Sequence, residues 1–478
     1  MKMFKPLFFS ALSVAIALLF YVANPFGVSN DASKVIAVAA LMIALWVTEA
    51  MPMPVVALLP LILFPVFNIA GIDATAASYA NKVIFLFMGG FMLGLAIEKW
   101  NLHRRIALNI VKTTGTSGDR IILGFIIATG LISMWLSNTA TTMMMFPIAL
   151  SVINVMKENH PSRDGVANFS AGIMIAIALA SNFGGVATII GTPPNVAYAA
   201  YISEKHNYTI DFSKWMLICA PLTILLLLLL YMVLVKWLYP NRMRSDASTR
   251  DLIGREVLAL GAISTPEKRV LAVFALTAIL WMTRGLINDA GFRQLDDNMV
   301  AIIGATALFI IPSGNGKNEA LLNWGDTSKM AWGILLLFGG GIALATALEK
   351  AGLIQQLGEW FAGFALNTFM LIFLVTFIAL FLSEVMSNVA QVIVFAPVVT
   401  SLAIAAGLHP LVLGIPMTLA ASCASMLPMG TPPNAIAFSS GYIKLGQMMK
   451  VGLVMNIIAV VLITLFCWLL LPLVFSVN

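Results

Sequence analysis

The sequence predicts an all-α polytopic membrane protein built from two similar halves, and three observations carry that expectation. Of 478 residues, 60% are hydrophobic and 10% charged, where a soluble globule carries about 25% charge. Mean hydropathy is +0.96. The apolar runs at 212–238 and 448–477 are continuous rather than alternating, which suits spanning helices and not barrel strands. Finally, one phrase is written twice. Ser137-Asn138-Thr139 and Ser387-Asn388-Val389 lie 250 residues apart (387 − 137), and each precedes a Gly-Thr-Pro-Pro-Asn block, at 191–195 and 430–434.

Taken in order, a first helix is expected at about 7–24. Lys2, Lys5 and the apolar run resemble a signal peptide, but the run is long and Asn24-Pro25-Phe26 is a poor cleavage site, so a retained helix is preferred. Helices follow at about 34–50, ending in Thr48-Glu49-Ala50-Met51-Pro52, then 54–69 and 82–98. Charges at Glu98, Lys99, Arg104 and Arg105 mark 102–113 as interfacial, too short and too charged to span. Arg120 to Met156 is broken by the first triplet. It reads either as two spans with a tight turn or as a re-entrant hairpin. The uncharged Ser-Asn-Thr-Ala-Thr-Thr tip favours the hairpin. A helix from about 166 is interrupted at Gly191 to Asn195, where two prolines cannot continue the amide ladder. Another spans about 213–238, and the basic stretch Asn241 to Arg269 reads as a solvated loop between the halves.

The second half repeats the plan at about 269–287, 297–312, 331–349, an interfacial stretch 352–366, a hairpin 367–406, a broken helix 410–438 and a last helix 447–474. Phe338-Gly339-Gly340 and Glu349-Lys350 match Phe87 to Gly90 and Glu98-Lys99 at an offset of 251 (349 − 98). The expected architecture is therefore eleven transmembrane helices plus two re-entrant hairpins. With the N-terminus in the cytoplasm, most of the 27 Lys and Arg fall on the cytoplasmic side. An odd number of crossings then separates corresponding elements, so the repeats are inverted and the C-terminus lies outside.

The net charge of +6 is scattered among short loops, with no basic stripe or motif for nucleic acid. Cys219, Cys423 and Cys467 are isolated in apolar surroundings and read as core residues. His103, His160, His206 and His409 sit near helix ends and read as interfacial. No nucleophile with a histidine base and no phosphate loop is present, which leaves an enzyme without machinery.

Breaks at membrane depth survive only where they are buried in protein or line a cavity. Paired breaks in two halves mark the binding site of a repeat-built secondary transporter. Helix N-termini offer about half a positive charge each, and Ser and Asn add donors for carboxylate oxygens. No Lys or Arg lies in the four motifs. The site therefore suits an anion held by neutral donors, with a hard monovalent cation such as Na⁺ on the oxygens. The bland alternative is that Ser-Asn only glues helices together; it explains one triplet more easily than two matched pairs. Glu384 reads either as a proton site or as a structural buried acid.

These residues resemble the divalent anion/sodium symporter family, the dicarboxylate and citrate carriers. The resemblance covers nearly the whole chain and rests on Thr48 to Pro52, both triplets, both Gly-Thr-Pro-Pro-Asn blocks, and Trp332-Gly333 leading into Phe338-Gly339-Gly340. It implies an elevator-type homodimer in a bacterial inner membrane. Residues 1–114 and 269–366 would be scaffold, 115–240 and 367–478 transport domain, and 241–268 a cytoplasmic linker. It implies substrate contacts from Ser137, Asn138, Thr139, Thr192, Ser387, Asn388, Val389, Thr431 and Pro432. One Na⁺ site would use Ser133, Ser137, Asn138 and Gly191, the other Ser383, Met386 (main chain), Asn388 and Gly430. The implied activity is Na⁺-coupled symport of C4-dicarboxylates such as succinate, malate and fumarate. A dicarboxylate exchanger or a carrier of citrate or another divalent anion is the alternative. Val389 departs from a full second Ser-Asn-Thr and removes a hydroxyl. The lack of a large soluble insertion argues against the sulfate-preferring branch with regulatory domains.

Overall fold

The computed structural model describes residues 4–25, 27–48, 50–159, 163–241, 243, 247–289, 291, 295–316, 318–353 and 367–477. These are helical throughout, apart from loops and an isolated bridge between Pro312 and Ala320. The chain opens with α1 (Phe4–Ala23) and α2 (Asn30–Thr48). Where one helix was expected at 54–69, two short ones form, α3 (Met53–Val56) and α4 (Leu59–Val66). Pro60 has no amide to continue the first, yet fits the opening turn of the second. A short α5 (Ile72–Ala77) and a turn of 3₁₀ helix, Ser78–Ala80, lead into α6 (Lys82–Lys99). Its start is fixed by Asn81, whose side chain accepts from the Val83 amide at 2.9 Å.

The expected interfacial helix is α7 (Leu102–Thr114). The first hairpin folds as α8 (Gly118–Ser133) and α9 (Asn138–Asn159), joined by the turn 134–137. The next helix is α10 (Arg163–Val186), but its break runs over 187–192, not 191–195. Pro193 and Pro194 do not interrupt a helix; they open a new one, α11 (Pro193–His206), because a first-turn proline sacrifices no hydrogen bond. Then comes α12 (Phe212–Met232), continued by a π-helical turn, Val233–Leu238.

The linker is a second correction, since it contains α13 (Ala247–Ala259). Its order comes from neighbours. Arg104 on α7 pairs with Glu256 at 2.8 Å. Arg105 binds Glu267 at 2.6 Å and donates to the carbonyls of Leu260 and Gly261, both at 2.9 Å, just beyond the C-terminus of α13. A side chain from another helix thus caps α13. Arg105→Ala should cost on the order of 1–3 kcal/mol, read as a lowered melting temperature in detergent. Unchanged melting would refute this capping role.

The second half runs α14 (Thr265–Asp289), α15 (Asp297–Ile310), a 3₁₀ segment Trp324–Lys329 and α16 (Trp332–Lys350). The expected interfacial stretch at 352–366 lies almost wholly outside the described residues. The second hairpin is α17 (Thr368–Ser383) and α18 (Asn388–Ala405), with the turn 384–387. Its broken helix is α19 (Leu411–Ser422) and α20 (Pro432–Ser439), again opened by two prolines. The last helix is α21 (Leu445–Phe475).

Among the described residues, nine helical stretches are long and apolar enough to cross a membrane. Two of them, Asn138–Glu158 and Asn388–Ala405, are the second arms of the hairpins. α10 is the centre of the fold, with its most apolar window wholly buried. The halves meet as like to like: Phe87 and Phe338 sit edge to face at 5.5 Å between ring centroids. All three cysteines are free and buried. His103, on α7, is buried, with Nδ1 3.0 Å from the Ile97 carbonyl; burial holds its imidazole below the ordinary histidine range. His206 and His409 are half-buried, against Tyr201 and Tyr208. His160 lies outside the described residues.

Candidate functional site

Each hairpin tip is built by the same local chemistry. In the first half, α8 stops at Ser133, whose Oγ lies 2.8 Å from Asn138 Oδ1 and 2.8 Å from the Ser181 carbonyl of α10. In the second, Ser383 Oγ lies 2.7 Å from Asn388 Oδ1 and 2.7 Å from the Ala421 carbonyl of α19. Both serines are fully buried. Each tip therefore gathers a hydroxyl, an amide oxygen and a main-chain carbonyl, which is the donor chemistry a hard monovalent cation takes. The amide nitrogens of Asn138 and Asn388 make no hydrogen bond among the described residues, and both side chains are partly exposed. They are donors available to a carboxylate.

The breaks are held by matching staples. Asn195 Nδ2 donates to the Thr188 carbonyl at 2.9 Å, and Asn434 Nδ2 donates to the Leu427 carbonyl at 3.1 Å. α10 then joins the halves. Asn182 Nδ2 donates to Thr431 Oγ1 at 3.1 Å and Asn434 Oδ1 at 3.2 Å, both in the second half. One turn later, Gly185 abuts the Asn138 side chain so closely that a Cβ would overlap it. One turn of helix spans about 5.4 Å, so the first triplet and the second break lie side by side. The packing is reciprocal. α20 contacts α9 and α10, while α11 contacts α18 and α19. Each post-break half-helix therefore lies on the other half's hairpin.

Placement of the remaining expected residues is uneven. Ser137 is exposed, and its Oγ accepts from the Ala140 amide at 3.2 Å, capping α9. Thr139 and Val389 occupy equivalent, half-buried places in the first turns of α9 and α18. Ser387 begins α18, and Met386 lies in the turn before it. Thr431 is buried and its hydroxyl already accepts from Asn182 and from the Asn434 amide. Pro432 is exposed. Thr192 is buried and begins α11 without a side-chain cap. Gly191 packs on the Gly185 carbonyl, and Gly430 approaches Glu384, where a Cβ would lie 3.3 Å from Oε2.

Sequence reading missed Ser181, Asn182, Thr142 and Asn456. Thr142 Oγ1 donates to Ser181 Oγ at 2.9 Å, behind the first tip. Ser181-Asn182 is itself a Ser-Asn pair inside an apolar helix, a signal that could have been used. Glu384 is buried and accepts from the amides of Ser425, Met426 and Leu427 and from Asn456 Nδ2, at 2.7–3.1 Å. Of the two roles considered for it, the structural one fits these contacts.

Helical throughout its described residues, with paired broken helices and paired tips, the chain has the build of a repeat-built membrane transporter. It matches the family model described as the sodium:sulfate symporter transmembrane region over residues 5–476, and it belongs to that family. It is similar to the sodium-dependent dicarboxylate transporter SdcS of Staphylococcus saprophyticus, 38% identical over 462 residues, covering 95% of this chain and 89% of that one. SdcS of Staphylococcus aureus is 36% identical over 440 residues, covering 91% and 85%. Two solved structures share the fold at low identity. Neisseria gonorrhoeae MtrF has a TM-score of 0.53 at 15% identity, covering 83% of each chain. The Alcanivorax borkumensis YdaH transporter has a TM-score of 0.54 at 14% identity, covering 84% of this chain and 88% of that one.

Proposed function

We propose that this protein is a Na⁺-coupled symporter of C4-dicarboxylates such as succinate, malate and fumarate, working in a bacterial inner membrane as an elevator-type homodimer. One observation carries the reading: each tip turns three oxygens toward one another and leaves an asparagine amide free. Oxygens suit Na⁺, and free N–H groups suit a carboxylate. In this reading Ser133, Ser137, Asn138 and the Gly191 region hold one Na⁺, and Ser383, the Met386 carbonyl, Asn388 and the Gly430 region hold the other. The dianion bridges the tips through Asn138, Thr139, Asn388 and the Thr431-Pro432 turn. Na⁺ loads first, orders both tips and cancels charge that would otherwise cross the bilayer bare. The relatives named as sodium-dependent dicarboxylate transporters support both the cation and the substrate class.

Topology follows from the same reading. The hairpins are re-entrant, eleven helices cross, the N-terminus is cytoplasmic and the C-terminus periplasmic. Both hairpins with α10–α12 and α19–α21 form the moving body, and α1–α7 with α14–α16 form the scaffold. Purified protein in liposomes is expected to accumulate labelled succinate only under an inward Na⁺ gradient, with weaker uptake of citrate and sulfate. Sodium-independent uptake would reject the coupling. Counterflow without any cation gradient would instead identify an exchanger.

A further inference from the structure

Glu384 makes the two halves electrically unlike. Its equivalent in the first half is Met134, at the same offset of 250 that separates the triplets (384 − 134), and each follows the tip serine. There the tip is tied to the break by a neutral bond, from Thr188 Oγ1 to the Met134 carbonyl at 2.6 Å. In the second half the equivalent loop position is Leu427, seven residues before the stapling asparagine in both cases (195 − 188 and 434 − 427). Here the loop again donates to the tip, but the side chain now lies on the tip: the loop amides of Ser425, Met426 and Leu427 donate to the Glu384 carboxyl at 2.8–3.1 Å, and Asn456 Nδ2 adds a fourth donor at 2.7 Å. The same two positions join tip to break, once with a hydroxyl and once with a carboxylate.

Three successive amides turned toward one acceptor form an anion nest. Every hydrogen-bond partner of the Glu384 carboxyl among the described residues is a donor, an arrangement that suits its ionised form. No Lys, Arg or His among the described residues pairs with it. In the chain Glu384 follows Ser383, whose Oγ is 2.7 Å from Asn388 Oδ1, and Glu384 Oε2 would lie 3.3 Å from a Cβ added at Gly430.

We propose that Glu384 is a positioning residue that clamps the second tip onto its break and lends its negative charge to the cation pocket between them, so that the second-half Na⁺ site is the tighter and fills first. This rests on the reading that each tip and break hold a cation. A unit charge several ångströms from a cation, at an effective dielectric of about 20, changes affinity by roughly tenfold even after the nest offsets part of it.

The test is succinate uptake into proteoliposomes as external Na⁺ is varied, for wild type and Glu384→Gln, at saturating succinate. The substitution should raise the Na⁺ concentration for half-maximal uptake about tenfold or more. The maximal rate and the succinate KM at saturating Na⁺ should stay within about threefold. An unchanged Na⁺ half-saturation, or a loss confined to maximal rate, overturns the proposal. Wild-type uptake indifferent to Na⁺ would sink the underlying reading instead, so the two failures are separable. If Glu384→Gln folds without transporting, thermal stabilisation by NaCl against choline chloride reads binding directly, and an unshifted titration overturns the proposal. If it does not fold, Glu384→Asp keeps the charge. A Na⁺ half-saturation within about threefold of wild type supports the role of charge, and a tenfold rise there refutes it.

Discussion

Asn138→Ala and Asn388→Ala should each lower dicarboxylate uptake by at least about a hundredfold, while the protein still elutes as a single folded species. In the proposed reading each asparagine does two jobs at one place. Its Oδ1 stands within 2.7–2.8 Å of the tip serine Oγ, in the oxygen cluster, and its amide nitrogen is free for the substrate. A hydrogen bond to a charged group contributes about 1.5–3 kcal/mol. Loss of a cation ligand adds to that, and every 1.4 kcal/mol is about tenfold. Folding should survive because the two arms are anchored elsewhere, by Thr142 to Ser181 in the first half and by Gln391 to the Ala379 carbonyl in the second. Thr139→Val is the informative contrast. The second half already carries Val389 at that place, so the loss there should be about tenfold or less. Alanine variants that keep half of wild-type uptake would remove the asparagines from the site.

Much of this was legible in the chain, and the physical reason is locality. A membrane span is a run of apolar residues, and a break is a run of small polar residues and prolines, so both leave their mark where they occur. Duplication supplies the rest: Phe87 and Phe338 match in the two halves of the sequence, and their rings lie 5.5 Å apart. What escaped the reading depends on partners distant in sequence. α13 looks like a solvated loop because its cap is Arg105, more than 150 residues away. Asn182 and Asn456 look like isolated polar residues in helices until Thr431 and Glu384 are seen beside them. The prolines misled for a different reason. Pro193 and Pro432 were read as ending helices, yet the same missing amide makes a proline a good first residue. The true break therefore lies on the N-terminal side of each pair. For the same reason the half-helix N-termini, with their dipoles, begin at Pro193 and Pro432, two residues after Gly191 and Gly430.

Gly185→Ala should abolish uptake although it ordinarily favours a helix. In an unhindered helix the change stabilises by about 0.5–1 kcal/mol. At Gly446, in the first turn of α21, an added Cβ meets nothing within 4 Å, so Gly446→Ala should leave transport and melting temperature at or slightly above wild type. Gly185 is different, because its added Cβ would overlap the Asn138 side chain. The two cannot share the space. Around Gly185, α10 is buried and tied to the second half by Asn182, so the asparagine is the part that gives way. Displacing it moves Oδ1 off Ser133 and turns the free amide from the site, which reproduces Asn138→Ala without touching the asparagine itself. Uptake should fall by about a hundredfold while the melting temperature drops by only a few degrees. A Gly185→Ala protein with normal uptake would mean that the contact between α10 and the first tip is not made in the working transporter, and with it would go the argument that one helix brings the two halves of the site together.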